Sequence, residues 1–208
     1  MAETFKGYIC AKNRDRIFGM DHCYIRPESG AVGNPISFNG IKIGLPGAVS
    51  PSRGIASLKK LVPMVSNPSI RFYGISTLSE PITFDNFIEL NKSGERLPFD
   101  LYNSYVKQMD AYLMMYNLGS YSMTASGALL EAIWNEKPFF ALRNVYFEYM
   151  FNKFGDLGYL ADSIEELAEK LNHLSSSDIS GFVQSIKKAK TSLLPANVKK
   201  QLKEIIEA

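Results

Sequence analysis

The chain is poor in the side chains that bind metals or make covalent links. Its 208 residues include two cysteines, Cys10 and Cys23, and two histidines, His22 and His173. Neither pair has metal-ligand spacing, which argues against a Cys/His zinc site. Two isolated cysteines suit reduced thiols in a cytoplasmic protein better than a disulfide framework. No Asp-x-Asp sequence occurs, so the simplest means of holding a divalent cation on a diphosphate is missing. No apolar run approaches the roughly 20 residues of a membrane span. The opening MAETFKGYIC lacks a signal-peptide pattern. Lysine and arginine number 23 against 21 acidic residues, a net charge of +2. A nucleic-acid binder usually carries a much larger basic surplus, so no nucleic-acid partner is expected.

What is present supports a folded domain. Hydrophobic residues make up 46% of the chain, and the length suits one large domain, or one domain with a small appendage. From residue 41 onward, strand-like and helix-like patterns alternate. Strands are expected at Ile41–Leu45, Ile70–Tyr73, Phe84–Leu90, Ala111–Tyr116, Phe139–Leu142 and Gly158–Ala161. Helices are expected at Ile55–Val65, Pro98–Gln108, Ala128–Trp134, Phe147–Phe154 and Ile164–Leu174. A linker at Ser175–Asp178 leads to two closing helices, Ile179–Leu194 and Ala196–Ile206. Short apolar strands alternating with helices imply an α/β fold: a doubly wound, Rossmann-like parallel sheet covered on both faces. Ligands of such sheets sit at the carboxyl ends of the strands. Residues 1–40 have strand-like fragments at Gly7–Ala11 and Cys23–Ile25 and read as an N-terminal extension or the remnant of a preceding domain. Residues 41–208 form the main domain with its C-terminal helices. Lysines 187, 188, 190, 199, 200 and 203 make a basic C-terminal surface. It reads as a solvated helix face, with peripheral contact to anionic lipid as the alternative.

The most informative stretch is SYSMTASGALLEAIWNEKPFFALRN, residues 120–144. Small residues, Thr124 to Gly127, lead into a short apolar helix, then a turn and a buried strand. Unbonded amides at a helix start attract anions, and small side chains let a phosphate approach the backbone closely. Glu131 falls one turn into this helix, in reach of a sugar hydroxyl beside a phosphate. An exposed helix carboxylate is the plainer alternative for Glu131, and a solvated cation is the plainer one for Arg53.

The loop Pro46–Gly54, PGAVSPSRG, resembles the "GRLSPEKG" loop that opens the C-terminal domain of GT-B glycosyltransferases. Residues 124–138 resemble that family's "…G…EA…GKP" donor-binding helix and turn. GDLGYLADSIEELAEKL, from Gly155, resembles its closing strand and helix. The resemblance covers residues 41–174. It implies a GT-B half that binds a nucleotide-diphosphate sugar, needs no metal or other cofactor, and transfers the sugar to a glycan or lipid-linked acceptor. Arg53 matches the basic residue that faces the donor diphosphate, and Glu131 the acid that hydrogen-bonds the donor ribose. Ser126 and Gly127 fall where amides meet the phosphates. Leu90, or Glu89, falls near the base, and Gly47, Ser50 and Thr124 complete the two loops. The resemblance assigns no catalytic residue. The catalytic base and acceptor site are expected from a facing N-terminal domain or partner subunit. Two positions depart from the pattern. Ala48 replaces the family's other basic residue, and Met123 stands where retaining members carry the first acid of E-x7-E. These departures imply a divergent donor, an inverting reaction or lost catalysis. The rival readings are a non-catalytic nucleotide-sugar-binding module and a sugar-nucleotide epimerase-like enzyme.

Overall fold

Residues 111–116 are apolar and buried on both faces. Ala111, Leu113 and Met115 turn to one side, whereas Tyr112, Met114 and Tyr116 turn to the other, all seven per cent exposed or less. A strand that is apolar on both sides belongs in the middle of a layered sheet. The computed structural model, which describes residues 18–25, 33–116 and 125–207, builds such a sheet. Its strands are β1 (Ile41–Leu45), β2 (Ile70–Gly74), β3 (Phe87–Glu89), β4 (Ala111–Met114), β5 (Phe139–Leu142) and β6 (Gly158–Ala161). All pair in parallel, in the order β3-β2-β1-β4-β5-β6. This is the doubly wound, Rossmann-like arrangement that the sequence predicts. The chain winds outward from β1 to one edge and then from β4 to the other. That reversal opens a crevice between the loops after β1 and β4.

Two cores sandwich the sheet. On one face α1 (Ile55–Met64) buries Ile55, Leu58, Leu61 and Val62, and α5 (Ile164–Asn172) buries Leu167, Ala168 and Leu171. The other face is covered by α2 (Phe99–Gln108), α3 (Gly127–Trp134), α4 (Val145–Phe154) and α6 (Ser176–Ser192). Side-chain oxygens of Ser126, Asn144, Ser163 and Ser175 cap α3, α4, α5 and α6. Each cap satisfies an amide that the helix cannot pair internally.

Several expected boundaries shift. The strand expected from Phe84 shrinks to Phe87–Glu89, because Phe87 N donates to Phe84 O in a turn and Asn86 is used elsewhere. The Asn86 side-chain amide donates to Val62 O and Val65 O, closing the end of α1. The expected linker at 175–178 is the start of α6, where Ser175 and Asp178 form a reciprocal capping box. Cys23–Ile25 is irregular backbone, not strand; Gly7–Ala11 lies outside the described residues. The last helix, α7 (Pro195–Glu207), packs on α6. No described helix is long and apolar enough to cross a membrane.

Residues 18–25 are fastened to the domain by one buried carboxylate. The Asp21 side chain is 2% exposed and accepts from Lys153 Nζ at 2.6 Å, Tyr149 Oη at 2.9 Å and Gln201 Nε2 at 2.6 Å. Burial pushes its pKa up, but the donors of Lys153, Gln201 and Tyr149 outweigh burial and hold it below the ordinary value. A lowered carboxylate pKa means the ionised form stabilises the fold. That contribution is full above the unfolded pKa of about 3.9 and is lost as pH falls through the lower folded value. We therefore expect Asp21→Asn to cost about 2 kcal/mol at pH 7. Urea denaturation of both proteins from pH 7 to pH 3 checks this, and the gap should narrow once the pH falls below about 3.9. A constant gap would show that the carboxylate charge plays no part.

Candidate functional site

The crevice at the sheet reversal is a cleft of about 920 Å³. The loop after β1 supplies Pro46, Gly47, Ala48, Ser50 and Arg53, and the loop after β2 supplies Ser76 and Thr77. The two loops are tied by backbone bonds from Val49 N to Thr77 O and from Ser79 N to Val49 O, both 2.9 Å. Arg53 ends a short 3-10 turn, Pro51–Arg53. Its guanidinium leans back over Gly47, with Nη1 3.4 Å from Ala48 O. A side chain at Gly47 would collide with that guanidinium, and the φ of +75° there also favours glycine.

The opposite wall is the start of α3. Ser126 Oγ accepts from Leu129 N at 3.1 Å, and the Tyr116 hydroxyl lies 2.9 Å from the same oxygen. Leu130 N donates to Ser126 O. The amides of Gly127 and Ala128 come before these and have no acceptor within the helix. Gly127 faces open space, since a Cβ built there would meet nothing within 4 Å. This exposed, positively polarised helix end lines the cleft together with Arg53.

Glu131 sits on the floor, 5% exposed. Its Oε2 accepts from the Tyr102 hydroxyl at 2.8 Å, and the Tyr102 oxygen accepts from Gly47 N at 3.0 Å. One tyrosine from α2 therefore joins the β1 loop to the α3 carboxylate across the crevice. It also places an ionisable oxygen beside the cleft with its orientation set.

Of the residues singled out in sequence, Gly47, Ser50, Arg53, Gly127 and Glu131 line this one cleft. Ser126 is 2% exposed and acts through its cap. Leu90 is not in the lining; it packs against the core on the α2 side, and its amide donates to Gly74 O. Thr124 and Met123 lie outside the described residues. Sequence reasoning missed Tyr102, Arg96, Leu97 and Phe99, all from the segment around the start of α2, and also Tyr24 and Ile25. The only sequence signal for the α2 group was the position of the loop after β3 on the ligand edge.

Neither histidine lines the cleft. His173 caps the end of α5, and His22 borders a separate cavity of about 400 Å³ behind α3. Tyr146 in that second cavity is a neutral hydroxyl, its phenol pushed far above its ordinary value by burial. Cys23 is an exposed free thiol; Cys10 lies outside the described residues. Among the described residues no cluster of three or more His, Cys, Asp or Glu is placed to hold a metal ion.

No protein-family profile matches this sequence, and no curated protein matches it. Solved structures do match the fold. HepE from Anabaena, solved in complex with UDP, aligns with a TM-score of 0.58 at 13% identity, over 81% of this chain and 49% of HepE. AviGT4, a glycosyltransferase involved in avilamycin A biosynthesis, aligns at 0.55 and 14% identity, over 82% of this chain and 53% of its own. The glycosyltransferase SnogD from Streptomyces nogalater aligns at 0.50 and 16% identity, over 97% and 54%. The chain spans about half the length of the solved structures it matches. Its fold is that of one half of a GT-B glycosyltransferase.

Tyr102→Phe removes both bonds that cross the crevice without changing ring volume. We expect a loss of about 2 kcal/mol, as for a hydrogen bond to a charged group, read as a lower urea midpoint at an unchanged slope. An unchanged midpoint would mean that the bridge is not a structural tie.

Proposed function

We propose that this chain is the donor-binding half of a glycosyltransferase. It holds a nucleotide-diphosphate sugar whose sugar passes to a glycan or a lipid-linked acceptor. The observation that carries this reading is the convergence of Arg53, the open start of α3 and the Glu131 carboxylate on one cleft at the sheet reversal. An arginine fork and helix amides suit a diphosphate, the first by bidentate charged bonds and the second by fixed partial charge. A carboxylate held by Tyr102 suits a ribose hydroxyl, which it accepts from.

In the transfer step the bond between the sugar and the diphosphate breaks, and negative charge builds on the leaving phosphate. Arg53 and the α3 amides stabilise that charge more as it grows, which lowers the barrier. In this reading Arg53 and the open start of α3 supply the positive charge that the diphosphate needs, and the transfer is metal-independent. The acceptor, and the base that deprotonates it, come from a facing domain or subunit across the open side of the cleft. A nucleotide-sugar-binding module without catalysis is favoured by one observation: besides Glu131, the described lining offers no carboxylate or histidine to act as base. The epimerase reading needs a histidine there and is the weaker one.

Calorimetric titration with UDP, GDP, ADP and TDP in metal-free buffer tests the donor site. One nucleotide should bind saturably, and Arg53→Ala should weaken it by about tenfold or more, the scale of one charge-assisted bond. Failure of all four to bind would contradict the reading. If binding holds, release of free sugar or its transfer from the matching nucleotide sugar separates the enzyme from the binding module.

A further inference from the structure

Two guanidiniums line the cleft, and the β1 loop supplies one of them. Arg53 enters from the turn after β1, whereas Arg96 enters from the loop between β3 and α2 (Phe99–Gln108). Strand β2 separates β1 from β3, so the two cations enter from different loops. The β1 loop otherwise lines the cleft with Pro46, Gly47, Ala48 and Ser50, none of them charged. Arg53 and Arg96 face a single lining carboxylate, Glu131, which is engaged by Tyr102.

Arg96 is exposed, and among the described residues it makes no ion pair or hydrogen bond. Most exposed cations are merely solvated and contribute little. This one differs because its loop is built to hold it. Asn91, 2% exposed, closes the turn just ahead of it: its Nδ2 donates to Glu95 O at 2.7 Å, and its Oδ1 accepts from Ser93 Oγ at 2.8 Å. On the other side Pro98 is the N-cap of α2, and a residue before proline is confined to extended backbone, which restricts Leu97. The backbone that carries Arg96 is thus fixed on both sides before any ligand arrives, which reduces the ordering cost of binding.

We propose that Arg96 is the second phosphate-binding side chain of this cleft. It meets a nucleoside diphosphate from a different loop than Arg53 does and makes the site prefer a diphosphate over a monophosphate. A monophosphate satisfies Arg53 and the α3 start alone; the second phosphate supplies the charge that Arg96 answers. This rests on the donor-site reading above, and the test separates the two.

The test is calorimetry on wild type, Arg96→Ala and Arg96→Lys with whichever of UDP, GDP, ADP and TDP binds, and with its monophosphate. Wild type should prefer the diphosphate. Arg96→Ala should weaken the diphosphate about tenfold, as for one charged contact, and move the monophosphate by less than about twofold. Arg96→Lys should recover part of the loss, since it restores charge but not the fork. Thermal midpoints should coincide, because the side chain is exposed. A diphosphate-to-monophosphate ratio unchanged in Arg96→Ala overturns the assignment while leaving the donor site standing, and so does an equal loss for both ligands. Failure of wild type to bind any of the four diphosphates overturns both.

Discussion

The cleft depends on one backbone contact. Gly54 ends the turn after β1 at a φ of +82°, and a Cβ there would run into the Met115 carbonyl just past β4. No other residue type fits, both because of the left-handed backbone and because the two main chains touch. The contact lies at the point where the sheet reverses. It sets how closely the start of α1 and the Pro51–Arg53 turn approach the end of β4, and through them the placement of Arg53. Gly158 makes a comparable approach to the Phe139 backbone at the far edge.

Around that contact the cleft is braced by polar bonds that span elements distant in sequence. Tyr102 ties Gly47 to Glu131 over separations of 55 and 29 residues. At the opposite edge of the sheet, Asn67 and Asn172 tie the turn after α1 to the end of α5 through bonds of 2.7 to 3.4 Å. Asp21 ties the early segment to α4 and α7, and the same segment then brings Tyr24 and Ile25 to the mouth of the cleft. Tyr24 meets Trp134 edge to face at 6.4 Å. A long side chain held in one orientation loses less entropy when a ligand arrives, so rigid walls favour binding over adaptation. The open side is rimmed by Phe99 and Ile25, 45% and 64% exposed.

Much of the fold was legible because local pattern and global architecture agree. Ile55, Leu58, Leu61 and Val62 repeat at helical spacing and are all buried in α1, and the strands alternate as a two-faced sheet requires. The errors came where side chains serve distant partners. Asn86 looks like part of a strand until its amide is found capping α1, and Ser175 looks like a linker until Asp178 completes its box. In the site, Arg53 and Glu131 were legible because each lies in a loop or helix with a recognisable order. Tyr102 was not, because nothing local distinguishes a tyrosine that reaches across a crevice from one that packs in a core. Arg96 lines the cleft too, but in sequence it lies among Lys92, Glu95 and other polar residues that give no local signal. Leu90 faces the core instead of the cleft because its backbone follows β3 and pairs with Gly74.

The proposed function depends first on an anionic nucleotide binding at the sheet reversal. Hydrogen–deuterium exchange with each of UDP, GDP, ADP and TDP in excess tests it most directly, because it reports amides along the whole chain. The account predicts slowed exchange in two separated segments, residues 46–54 and 126–131, when the nucleotide that fits is present. Slowed exchange confined to other segments, or none with any of the four, would contradict it.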